Sequence, residues 1–277
     1  MKIVTDSPSL FTPAEADRLG IAVVPACAIV DGRAYRDHLD ISGEDFLTLV
    51  NGGAVPTTSQ PAIGDVLEVF ERFEEEDILA LPIGDGLSGT FSAMVSARSM
   101  AKNAEKIHVV DTGTLAVPQQ YLVKKALALA EEGFTAKEAV EKLSENIESS
   151  VSFVIPADFD FLRRSGRLTP VAAKLLRTVR VVPVLTQNET KKRISLFTIK
   201  LSRQKALEAV AEHLKKMGVG KNWLIGVCHA GAAGEAFEML QYLHREFPDA
   251  GTALHPLVPS LMTHGGPGCV TIQAIRM

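Results

Sequence analysis

An apolar run from Ile78 to Ile83 turns through glycines at 84, 86 and 89 into Thr90-Phe91-Ser92-Ala93-Met94-Val95. Such a run reads as a buried strand, and the residues after it as the first turns of a helix. Few local patterns restrict a fold more. A strand that breaks through glycines into a helix N-terminus leaves several backbone N–H groups without intrahelical partners, at the positive end of the helix dipole. Ser88 and Thr90 add hydroxyls at the same place, so the segment forms either a seat for a carboxylate or phosphate or an ordinary capped βα turn.

The pattern repeats through the first half of the chain. Lys2 to Thr5 is a short strand ending in Asp6-Ser7-Pro8. Ile21 to Val30 is an apolar run closed by the Asp31-Gly32 turn, with Arg33 to Arg36 returning as a hairpin arm. Ser42 to Val50 reads as a capped helix. Thr57, Thr58, Ser59 and Gln60 precede Pro61 and a helix with Val66, Leu67 and Phe70 on its apolar face, giving a second helix start decorated with hydroxyls. Lys106 to Val110 is a strand, Leu115 to Glu131 a helix, and Thr135 with Glu138 a capping box for the next. Alternation of this kind predicts a mostly parallel sheet flanked by helices over residues 1–150, with ligands outside the carboxyl ends of its strands.

From residue 151 the rhythm changes. Val151 to Ile155, Val179 to Thr186 and Arg193 to Leu201 read as strands joined by polar turns. Ser202 to Met217 and Gly231 to Phe247 read as helices, and Trp223 to His229, Thr252 to Val258 and Cys269 to Ile275 as further strands. Residues 151–277 are therefore expected to form an α+β domain with a largely antiparallel sheet, the whole chain being α/β in class.

Composition narrows the functional classes. At net charge −4 and 6% aromatic content the 277-residue chain lacks the basic, base-stacking character of a general nucleic-acid binder. No apolar stretch reaches membrane-spanning length, and the first residues enter a strand rather than a signal peptide. Cys27, Cys228 and Cys269 are scattered and form no CxxC pair, which reads as reduced thiols in a cytoplasmic protein with no metal site.

Three features carry possible chemistry. His264-Gly265-Gly266-Pro267-Gly268 reads as a tight loop after a histidine able to hold or donate a proton, or as a plain turn between the last two elements. Arg163, Arg164 and Arg167 form the densest cationic cluster, either a solvated helix face or a dock for an acidic or phosphorylated partner, with Lys200 and Arg203 in support. Ser88 and His264 could also serve an esterase or acyltransferase, yet Gly86-Leu87-Ser88-Gly89 lacks the G-x-S-x-G elbow. A phosphate-binding regulatory module is the third reading. Glycines 84, 86 and 89 match G-x-G-x-x-G, but too late in the chain for a dinucleotide fold, and no P-loop lysine follows.

Taken in order, Ile3-Val-Thr-Asp-Ser7, Thr58-Ser-Gln-Pro61, Leu87-Ser-Gly-Thr90, Phe161-Leu-Arg-Arg-Ser-Gly-Arg167 and His264-Gly-Gly-Pro-Gly268 make the chain resemble the DegV family nearly end to end. The resemblance implies a two-domain α/β protein holding a long-chain fatty acid between its domains. It implies further that the acid is presented to a separate ATP-dependent fatty acid kinase, which makes the acyl phosphate for phospholipid metabolism. Thr58, Ser59, Ser88, Gly89, Thr90 and His264 match residues of the family's carboxylate site, and Gly265 stands beside the histidine as a further expected ligand-binding residue. Arg163, Arg164, Arg167 and Arg203 are the expected docking residues. No catalytic residue, metal or cofactor is implied, nor is stable membrane insertion. Three departures stand out: Gly84-Asp85-Gly86 where serines are frequent, Gly265 where threonine is usual, and His229-Ala230-Gly231 where His-Gly-Asp often occurs. A negative Asp85 beside a carboxylate is unfavourable unless it points away.

Overall fold

The computed structural model describes residues 1–170 and 181–277. Its first sheet is wholly parallel: β1 (Lys2–Asp6), β2 (Ala22–Val24), β6 (Ile78–Leu81) and β7 (Ile107–Val109) lie in the order β2-β1-β6-β7. Every residue of β6 is buried, as its unbroken apolar run requires of a central parallel strand. One face of this sheet packs on α3 (Ile63–Arg72) and α4 (Thr90–Met100) through Val66, Phe70 and Met94. The other receives α1 (Pro13–Leu19), α5 (Ala116–Glu131) and α6 (Ala136–Ser149) through Ala16, Leu122, Val123 and Leu143. The capping box of Thr135 with Glu138 forms as the sequence specifies, and a second joins Thr12 to Glu15.

A six-stranded sheet follows, in the order β10-β9-β8-β13-β11-β12. Its strands are β8 (Val151–Ile155), β9 (Val182–Gln187), β10 (Ile194–Lys200), β11 (Trp223–His229), β12 (Gly251–Pro256) and β13 (Val270–Arg276). All neighbours are antiparallel except β11 and β12, matching the expected largely antiparallel character. Val179 and Arg180, the first residues of one expected strand, lie outside the described residues. Helices α8 (Arg203–Lys216) and α9 (Ala233–Glu246) cover the outer face through Leu207, Val210, Leu214, Met239 and Leu243. The inner face meets α5: the Val117 N–H donates to Gln273 Oε1, and the Gln273 amide donates to Leu115 O and Ser152 Oγ.

The sequence pattern is corrected in two places. Ile21 to Val30 is not one strand, because Pro25 cannot continue a ladder. The chain leaves β2 there and enters β3 (Cys27–Val30), which forms a small antiparallel sheet with β4 (Arg33–Arg36) and β5 (Thr57–Ser59). Thr57 to Ser59 therefore do not decorate a helix start. Paired with β3 and cut off by Pro61, these β-branched and hydroxyl residues are a strand, and α3 begins only at Ile63. Of the two readings of the His264 segment, the plain turn does not hold: His264 precedes the glycine loop from the last turn of α10 (Pro259–Gly265), which Pro259 opens.

The β9–β10 hairpin tip is pressed onto the loop after β6. Gly86 has φ +82°, and a Cβ there would lie 2.6 Å from Lys192 O. Lys192 Nζ meets Asp85 at 2.8 Å, so Asp85 points at the hairpin, while its N–H donates to Asp111 Oδ1. The Gln187 amide donates to Gly113 O and Lys191 O across the same junction. Gly86→Ala should therefore destabilise the fold by about 1–3 kcal/mol through strain and overpacking. Gly64→Ala, in a helix with nothing within 4 Å of the new Cβ, should be neutral or mildly stabilising. Urea midpoints of the two variants check the contrast.

Candidate functional site

Three carboxyl ends of the parallel sheet converge on one region. Asp6, the last residue of β1, is fully buried; the Ile83 N–H donates to its carboxylate at 3.1 Å and the Gln119 amide at 2.6 Å. Burial pushes its pKa up to about 7, against the pull of these hydrogen bonds. Asp6 thus ties the loop after β6 to β1 and α5. That loop carries Ser88, whose Oγ lies 2.9 Å from Thr90 Oγ1 and accepts the Thr90 N–H at 3.3 Å. Gly89 is the N-cap of α4, and Gln60 Oε1 occupies the space that a side chain there would need. Thr90 is fully buried, so it supports Ser88 from behind.

Gln60 follows directly on β5, and this places β5 between the Ser88 loop and α10. At its other side, Thr58 Oγ1 lies 3.2 Å from His264 Nε2. Among the described residues, buried His264 Nδ1 has no hydrogen-bond partner. A bare lone pair costs less there than an unpaired N–H, which favours the tautomer in which Nε2–H donates to Thr58 and leaves the Thr58 O–H free to donate onward. Burial, helped by the charge of Arg167, pushes His264 down to about 3, so the imidazole is neutral near pH 7.

What holds α10 in place was not visible as a motif. Asp37 is 1% exposed and accepts the Ser7 O–H at 2.8 Å, the Ser260 N–H at 3.0 Å and the Ser260 O–H at 2.5 Å. Ser7 Oγ also accepts the Ala26 N–H. At the far end of the helix Gly266, with φ +73°, lies where any Cβ would strike the Phe161 ring at 2.6 Å.

These groups share one cavity with an empty volume of about 930 Å³, its opening included. Thr58, Ser59, Ser88, His264, Gly265 and Arg167 lie on its wall, together with apolar Ile83, Leu87, Leu115, Val154, Leu162, Leu257 and Leu261. Both halves of the chain contribute. The sequence placed Arg167 among docking residues, and the structure puts it in this wall. Its segment pairs with the edge of β10 (Ile194 N–H to Arg167 O, Thr169 N–H to Ile194 O), and its Nε donates to Leu87 O. Arg167 forms no ion pair among the described residues, and desolvation lowers its pKa. The other arginines are elsewhere. Arg163 pairs with Asp160, Arg164 stacks on Phe161, and Arg203 pairs with Glu235 while donating to Gly268 O, which braces the loop after α10. Among the described residues no group of His, Cys, Asp or Glu is arranged to hold a metal ion, and no helix is long and apolar enough to cross a membrane.

Comparison with known proteins gives a consistent result. A family model described as "Uncharacterised protein, DegV family" matches residues 1–277. A DegV domain-containing protein of Listeria monocytogenes is 28% identical over 275 residues, 97% of this chain and 95% of its own. One from Caldanaerobacter subterraneus is 30% identical over 219 residues, 78% of this chain and 77% of its own. Among solved structures, DegV of Bacillus subtilis, described as a fatty acid binding protein, superposes with TM-score 0.89 at 25% identity, covering 100% of this chain and 99% of that one. A DegV family protein of Thermus thermophilus, described by its fatty acid binding, gives TM-score 0.88 at 27% identity, with the same coverage.

The buried ionisable groups give opposite pH slopes. Asp6 titrates near 7 when folded against 3.8 ordinarily, so its contribution to stability is complete below about pH 4 and lost as pH rises through 7. His264, held near 3 against 6.5, contributes above pH 6.5 and loses that contribution as pH falls toward 3. Denaturant unfolding between pH 4 and 7.5 should show Asp6→Asn gaining on the wild type as pH rises. His264→Gln should gain on it as pH falls.

Proposed function

The chain belongs to the DegV family, and from that premise we propose that it binds one long-chain fatty acid between residues 1–150 and 151–277. The acid's carboxylate would be presented to a separate ATP-dependent kinase for acyl-phosphate formation. One observation carries the reading: a single cavity has a mainly apolar wall and a cluster of two hydroxyl donors, a neutral imidazole and a guanidinium. A hydrocarbon tail gains from leaving water, and a carboxylate that leaves water needs charge-assisted donors. Ser88 and Thr58 each carry an O–H to donate, Ser59 lies beside Thr58, and Arg167 supplies the compensating charge. Gly89 and Thr90 hold Ser88 in place, and Gly265 lets the wall approach closely beneath Cys269.

Asp85, the negative residue that stood against this reading, is neutralised by Lys192. In the absence of a P-loop in the sequence, phosphoryl transfer falls to a partner. Arg163, Arg164 and Arg203 remain candidate docking residues, with Arg203 already committed to its brace. The three free thiols suit a protein acting in the cytoplasm.

Catalysis by Ser88 and His264 draws little from the geometry. With Nε2–H donating to Thr58 the imidazole offers Ser88 no base, and no described carboxylate orients Nδ1, so the relay a serine nucleophile needs is not assembled among the described residues.

Native mass spectrometry of the purified protein should detect one bound acyl chain, and stripped protein should rebind a C18 acid. Ser88→Ala and Thr58→Val should each weaken that binding by about 1–3 kcal/mol, the range for losing one buried donor to a charged acceptor. Protein that stays empty in excess fatty acid would refute the reading, and an ester-hydrolysis burst lost in Ser88→Ala would replace it with the esterase.

A further inference from the structure

Away from the carboxylate donors, the cavity wall contains two hydroxyls whose hydrogen-bonding capacity an unsubstituted hydrocarbon tail leaves unfilled. Thr271 is 7% exposed and lines the cavity, and among the described residues its Oγ1 has no oxygen or nitrogen hydrogen-bond partner. On β13 it is flanked across the ladder by Val154 of β8 and Cys228 of β11. The valine offers nothing polar. The Cys228 thiol, directed to Gln273 Oε1 at 3.8 Å, also faces the Thr271 hydroxyl, for which sulfur is only a weak partner. Ser152, 4% exposed and on the same wall, accepts the Gln273 amide at 3.1 Å, and its own O–H has no acceptor among the described residues.

The register fixes how these two groups stand. Ser152 pairs with Gln273 and Val154 with Thr271, so Thr271 and Ser152 are diagonal neighbours on one face, ~7–8 Å apart between Cα atoms and less between side chains. One oxygen between them can reach both at ~2.8 Å. Their place along the cavity follows from β13 too. Cys269 touches Gly265, next to His264, and Thr271 is the next residue on that face, ~7 Å further along the strand. The hydroxyl pair therefore lies beyond the carboxylate end, beside the course of a tail.

We propose that the ligand class of this cavity is a fatty acid bearing a hydroxyl part-way along its chain, held by Thr271 and Ser152. This rests on the fatty-acid reading above and adds a specificity to it. A hydroxyl matches the pair in a way that a saturated or unsaturated tail does not, since it can donate to Thr271 Oγ1 and accept from Ser152. An entirely apolar tunnel would reject such a chain, because it would strand the hydroxyl out of water.

The test compares stearic acid with a series of hydroxystearic acids differing in hydroxyl position, titrated by calorimetry into stripped wild-type protein, Thr271→Val and Thr271→Ser. One mid-chain isomer should bind the wild type at least as tightly as stearic acid and stand apart from its positional neighbours. Thr271→Val should weaken that isomer at least tenfold while leaving stearic acid unchanged or tighter, and Thr271→Ser should keep the preference. The proposal is overturned if every hydroxy isomer binds the wild type tenfold or more weakly than stearic acid, or if Thr271→Val leaves the ratio unchanged. Binding of no acid to any of the proteins would instead refute the fatty-acid reading and this inference with it. The wild-type series decides the question even should a variant fail to fold.

Discussion

The site depends on one buried carboxylate. Asp37 lies in the connection after β4, far in sequence from both groups it joins, and accepts hydrogen bonds from Ser7 at the end of β1 and from Ser260 at the start of α10. An unpaired carboxylate so deeply buried would be strongly unfavourable, so the three donors are a condition of the fold as well as a contact. Even so paired, desolvation raises its pKa to about 6. With α10 anchored at its first turn by this joint and closed at its last by Gly266 against Phe161, His264 has little freedom. The Thr58–His264 contact follows from that.

A second carboxylate does the same for the opposite wall. Asp6 draws the Ile83 N–H and the Gln119 amide onto the end of β1, fixing where the chain leaves β6 and hence where Ser88 emerges. Both acids bind only neutral donors and neither lines the cavity, so among the described residues of its wall the one charged side chain is Arg167. A neutral imidazole next to it is consistent with this: a second cation would be repelled, and burial already disfavours it. The wall's other polar groups are uncharged, Thr271 and Ser152 among them.

The small sheet β4-β3-β5 gives the site its unity. The Ser88 loop belongs to the parallel sheet, and His264 precedes the last strand of the mixed sheet. Between them β5 presents Thr58 to His264 while Gln60, just after it, fills the space beside Gly89. The polar groups that line the cavity there come from β5, the β6–α4 loop, the segment after α7 (Phe159–Ser165) and α10, elements far apart in the chain.

Much of this was legible in the sequence where the physics is local. Apolar runs broken by glycine and proline, the capping box at Thr135 and the Asp31-Gly32 turn act within a few residues, and they determined the elements and the parallel and antiparallel character of the two large sheets. The hydroxyl motifs and His264 could be picked out as unusual, and the ordered set tied them to one family. Only the tertiary structure decided that Thr57 to Ser59 form a strand, that His264 sits on a helix, that Arg167 faces the cavity while its cluster-mates do not, and that Asp85 turns to Lys192. Each outcome is set by a partner distant in the chain: β3 for Thr58, Asp37 for α10, the edge of β10 for Arg167. Local propensity carries no information about such partners, because burial and long-range hydrogen bonds come into being only when the chain has folded.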